Sequence, residues 1–99
     1  MIIVTGEIEI DPAAIDALRG AAITMMAETA KEEGCLFYRF YQDLEHPGKV
    51  RVYEEWESEV HLQAHMATPH MQVWRAALAD ITLKSRRIQI LTGATARDL

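Results

Sequence analysis

A chain of 99 residues, 49% hydrophobic and 25% charged, suits one globular domain and no more. Its net charge of −5 argues against nucleic acid, because the one basic cluster, Lys84, Arg86 and Arg87, fits the solvated side of a strand. No apolar run nears the roughly 20 residues of a membrane span, the start Met1-Ile2-Ile3-Val4 turns polar too early for a secretory leader, and the lone Cys35 has no intrachain disulfide partner, so a reduced, cytoplasmic setting is expected.

The first element is a strand over Ile2 to Ile10, where Glu7 and Glu9 alternate with Ile8 and Ile10. Asp11-Pro12 supplies an N-cap and a first-turn proline. Ile15, Leu18, Ala22, Met25, Met26 and Thr29 then recur at helical spacing, with Asp16, Arg19, Glu28, Lys31 and Glu32 on the other face and Gly34 as C-cap. Leu36 to Gln42 is an aromatic-rich strand, and Glu45 to Lys49 is a turn. Val50 to Trp56 returns as the other half of an antiparallel hairpin. Ser58 caps a short helix to about Ala67, and Thr68-Pro69 breaks it and starts another to about Asp80. Arg86 to Leu91 is the last strand; residues 1–92 form the domain and residues 93–99 a frayed, flexible tail.

The order β-α-β-β-α-β predicts an α+β, ferredoxin-like fold: a four-stranded antiparallel sheet with helices on one face. Alternation sends Leu36, Tyr38 and Phe40 one way and Phe37 and Tyr41 the other, while Ile2 and Val4 oppose Ile3. Both faces are therefore apolar, and helices cover only one. A second copy packed sheet on sheet is the expected cover for the free face, giving a homodimer.

Polar groups with chemical potential gather from Glu54 to His70. His61 and His65 lie four apart on one helix face, a spacing found in zinc sites, but Leu62 stands where a hydrolase needs glutamate and no third ligand is evident; no metal is expected. His65 sits beside Leu62 and Met66, so it looks toward the sheet, where a neutral imidazole can accept a proton. From the residues alone, a core histidine satisfied by a carbonyl or by Glu54 is the stronger account. Glu54 shares a strand face with Val50, Val52 and Trp56, and Trp56 and Trp74 are large apolar walls. No glycine-rich phosphate loop and no G-x-S-x-G turn is present, so neither a nucleotide cofactor nor a serine nucleophile is supported.

The residues Gly34-Cys35-x-x-Tyr38, Glu54-x-Trp56-Glu57-Ser58 and His61-Leu62-x-Ala64-His65-x-x-Thr68-Pro69-His70-Met71 resemble the antibiotic biosynthesis monooxygenase family, and its quinol monooxygenase branch in particular. The resemblance implies a dimeric α+β barrel with a pocket between sheet and helices. It implies oxygenation of a quinol-like or polyphenolic small molecule by molecular oxygen, without metal or organic cofactor. His65 would then be the catalytic base, and Tyr38, Glu54, Trp56, His70 and Trp74 would bind the substrate. Haem-degrading relatives carry an asparagine on the first strand, and this chain has no asparagine. Two alternatives use the same pocket. One is an isomerase of a small dicarbonyl compound, whose phosphorylated form would need a cation such as Arg39 or Arg51. The other is a non-enzymatic dimer that binds a small aromatic molecule.

Overall fold

The computed structural model describes residues 1–99, and its elements follow the predicted order. They are β1 (Ile2–Glu9), α1 (Ile15–Thr29), β2 (Cys35–Gln42), β3 (Lys49–Trp56), α2 (Glu59–Met66), α3 (Pro69–Ala79) and β4 (Ser85–Leu91). The sheet order is β2-β3-β1-β4, antiparallel throughout, which is the α+β ferredoxin-like arrangement. No helix is long and apolar enough to cross a membrane.

The capping residues act as their chemistry requires, with two shifts. Asp11 accepts from the Ala13 N–H at 2.9 Å but caps a single 3₁₀ turn, Pro12–Ala14, so α1 begins only at Ile15. The Ser58 side chain accepts from the His61 N–H and Thr68 from the Met71 N–H, which starts α2 and α3 separately on either side of the proline break. The C-terminus of α1 departs from expectation. The helix stops at Thr29, and Gly34 lies beyond it at the end of an extra turn, with φ of 80°. A Cβ there would stand 2.2 Å from Cγ of His61. The Gly34 carbonyl also accepts from the Glu57 N–H at 2.9 Å, so the turn carrying Glu32 is seated against the start of α2.

The registers arrange the covered face of the sheet in rows. One row is Ile90, Val4, Glu54 and Tyr38; the next is Ile88, Gly6, Val52 and Phe40; the third is Arg86, Ile8, Val50 and Gln42. Val4, Ile8, Tyr38, Val52 and Trp56 from this face meet Leu18, Met25, Leu62 and Trp74 of the helices in the core. Two sequence expectations fail on this sheet. A register shift between Cys35 and Phe37 takes Leu36 out of the alternation and leaves it half-exposed, because a bulged residue has no assigned face. The uncovered face is also only partly apolar. Ile3, Phe37, Tyr41, Tyr53 and Leu91 share it with Glu7, Arg39, Arg51, Glu55 and Arg87.

The seating of Gly34 gives a direct test. Gly34→Ala should lower unfolding free energy by roughly 2–4 kcal/mol, combining a left-handed backbone with a steric clash. Urea denaturation at constant m-value measures it. An unchanged midpoint would mean that His61 and the turn separate freely.

Candidate functional site

A cavity of about 590 Å³ opens between the sheet and α2–α3, within the size range of small-molecule sites. Thirteen of its 19 lining residues are hydrophobic. Tyr38, Glu54, His65 and Trp74 are on its wall, together with Arg75 and Arg86. Trp56 and His70 are not on the wall. Trp56 is fully buried against His65, with ring centroids 4.7 Å apart, and the His70 ring lies 6.1 Å from that of His65.

The histidine that borders the cavity is held from behind. His65 is 1% exposed, and its Nδ1 lies 2.7 Å from Oε2 of Glu32. Nε2 of His70 lies 2.7 Å from the same oxygen. A carboxylate oxygen accepts, so both nitrogens are assigned as donors. That assignment puts the His65 proton on Nδ1 and leaves Nε2 with a lone pair. Nε2 is buried and has no hydrogen-bond partner within the chain, an arrangement that costs about 1–3 kcal/mol. Burial pushes the His65 pKa below its ordinary value, and the Glu32 hydrogen bond opposes this only in part. His65 is therefore neutral at neutral pH.

Glu54 is the second unusual group. It is buried, its Oε1 accepts from Nε1–H of Trp56 at 2.9 Å, and burial raises its pKa from 4.5 to about 7. The Trp56 hydrogen bond works against that rise, and the Glu32 carboxylate adds to it. Burial also holds Tyr38 firmly in its neutral phenol form. Cys35 is pushed up to about 11 by burial and by Glu32 and Glu54, so it is a thiol and not a nucleophile at neutral pH.

Helical spacing puts Glu32 on the solvated face of α1, but Glu32 lies past the helix end and turns inward, its side chain 13% exposed. The ligand atoms of Glu32, His65 and His70 all lie within 4.8 Å of one another, so the group that could hold a transition-metal ion is this trio, with the third ligand that the His61–His65 spacing does not supply. His61 instead pairs with Oγ of Ser58 at 2.7 Å. At 2.7 Å the two histidine–carboxylate contacts have hydrogen-bond lengths, and an ion would have to displace both protons. Lys84, Arg86 and Arg87 are all exposed, as the sequence predicts; the strand register adds that Arg86 stands on the helix-covered side of the sheet edge, at the rim of the cavity, while Arg39 and Arg51 lie on the uncovered face.

Residues 1–77 match the family model for antibiotic biosynthesis monooxygenase. The Escherichia coli protein named probable quinol monooxygenase YgiN is 35% identical over 63 residues, 54% of this chain and 60% of its own length. Rv0793 of Mycobacterium tuberculosis is 28% identical over 80 residues, 81% of this chain and 78% of its own. A crystal structure from Deinococcus radiodurans superposes with a TM-score of 0.90 at 24% identity, over 100% of this chain and 98% of its own, a likeness of fold.

The environment of Glu54 has a pH signature. Between pH 4.5 and about 7 the folded chain holds a proton on Glu54 that the unfolded chain has lost, so this group's contribution to stability falls as pH rises through that window. His65, with its lowered pKa, acts oppositely: its contribution falls as pH drops below the ordinary imidazole value. Glu54→Gln removes only the first effect and keeps an acceptor for Trp56. Relative to the native chain it should gain stability from pH 5 to pH 8, by up to about 3 kcal/mol. Urea unfolding across that range measures the difference, and a difference constant with pH would contradict a buried, proton-sharing Glu54.

Proposed function

The chain belongs to the antibiotic biosynthesis monooxygenase family, and from that premise we propose that it oxygenates a quinol-like or polyphenolic molecule with His65 as base. The observation that carries this reading is the Glu32-held His65 with an unpartnered Nε2 at the wall of an apolar cavity. The name of YgiN supports the quinol class over the segment it shares.

Triplet oxygen reacts slowly with closed-shell molecules, but a phenolic anion can give it one electron. Nε2 takes the phenolic proton, and Nδ1–H, donating to Glu32, steadies the imidazolium that results. The substrate radical and superoxide combine at a ring carbon to form a peroxide. Where that carbon bears two hydrogens in the keto form, loss of water leaves a carbonyl. One oxygen atom is kept and the other leaves as water, and all electrons come from the substrate, so no cofactor is required. Trp74 and Phe40, with centroids 4.7 Å apart, give the ring an aromatic wall. Protonated Glu54 can donate to a substrate oxygen, and Arg75, which donates to the Met66 carbonyl at 3.0 Å, adds positive charge near the anion. Nε2 is covered, so this proton transfer requires a wall side chain to turn aside. Trp56 supports His65 and Glu54 from behind, and His70 shares Glu32.

The mixed outer face of the sheet is our candidate for a homodimer contact, with the row of Leu91, Ile3 and Phe37, interrupted by Glu55, as its apolar part.

Purified protein with excess chelator should consume oxygen when given reduced naphthoquinones. His65→Ala should lose about 10²–10⁴-fold in rate while keeping its circular dichroism spectrum. Full activity in His65→Ala would remove His65 from the mechanism. Anaerobic turnover of a dicarbonyl compound, with no oxygen uptake in any assay, would favour the isomerase alternative.

A further inference from the structure

The cavity has two polar ends, and only one of them is used by the chemistry above. Tyr38 and Glu54 lie in one row of the covered face, and Arg86 lies two rows away. Four residues of β4 separate Ile90 in the first row from Arg86 in the third, roughly 13 Å of strand. The row between them is Ile88, Gly6, Val52 and Phe40, with nothing polar in its side chains.

Arg86 also lacks a counter-charge. The ion pairs of the arginines and lysines are held by Arg19, Lys31, Lys49 and Arg51. Glu7 and Glu9 of the adjoining strand point to the opposite face, and Glu7 is already engaged by Lys49 and Arg51. Glu54 is the one carboxylate on the cavity wall, and it sits at the far end. Arg86 is exposed at the sheet edge, on the rim of the cavity, and is in no ion pair, so its fork of donors is open to an anion.

We propose that the cavity takes an elongated aromatic acid, with its phenolic ring at the Tyr38–Glu54–His65 end and a carboxylate or similar anionic group on Arg86. The assignment of the ring end rests on the monooxygenase reading; the anion end does not. The apolar middle row then sets the length of the spacer, about that of a second ring or a short alkyl chain. Neutral phenols of the same size would lack the second anchor and would bind in more than one orientation.

The test separates binding from oxygenation. 5-(1-Naphthyl)pentanoate and its methyl ester have no phenolic proton, so isothermal titration calorimetry reads the cavity alone. The native protein should bind the acid about tenfold more tightly than the ester, a margin within reach of one charge-assisted hydrogen bond. Arg86→Gln should bring acid and ester within twofold of each other, and Arg86→Lys should keep part of the preference. Arg39→Gln, on the outer face, should leave the preference in place. Equal affinity for acid and ester in the native protein would overturn the proposal, as would a preference that survives Arg86→Gln. If naphthoquinols consume no oxygen but the Arg86-dependent preference holds, the monooxygenase reading fails and the anion site stands.

Discussion

One carboxylate oxygen organises this site. Oε2 of Glu32 accepts from His65 on α2 and from His70 on α3, each at 2.7 Å. Three segments that are separate in sequence, the turn after α1 and the two short helices, are tied at one atom. Truncating Glu32 would leave two histidine N–H groups facing an apolar interior without an acceptor. The same contact bears on the protonation of His65. Burial keeps the ring neutral, the carboxylate fixes the proton on Nδ1, and the remaining lone pair belongs to Nε2.

The sheet supplies the rest by alternation. Every second residue of each strand faces the helices, and the registers line these residues up in rows. Polar side chains on that face are few. Glu54 gains its unusual proton affinity because its row neighbours are Val4, Tyr38 and Ile90. Arg75 and Arg86, both exposed, are the two cations on the cavity wall.

Much of this fold is legible in the sequence because its signals are local. The caps at Asp11, Ser58 and Thr68 and the prolines behind Asp11 and Thr68 locate helix starts with no tertiary information. The alternation of β1 and β3 assigns Val4, Val52 and Glu54 to the covered face. What was not legible depends on contacts between distant segments. Glu32 continues the polar period of α1 on paper, but the helix ends three residues earlier and the period no longer gives its direction. His70 follows a proline break, so only the packing of α3 reveals that it meets Glu32. Arg86 belongs to an exposed basic cluster, and only the pairing of Ile8 with Arg86 shows that it stands on the helix-covered side of the sheet edge. Leu36 leaves the strand alternation at a bulge that no propensity signals.

The central claim is a proton position, and nuclear magnetic resonance can observe it. Long-range ¹H–¹⁵N correlation spectra of the His65 ring at pH 7 should show one neutral tautomer, protonated at Nδ1, with Nε2 carrying the lone pair. Glu32→Ala should collapse this into the mixed tautomers of a free imidazole. A native His65 protonated at Nε2, or charged at neutral pH, would contradict the account, because that ring could not accept a proton from the cavity.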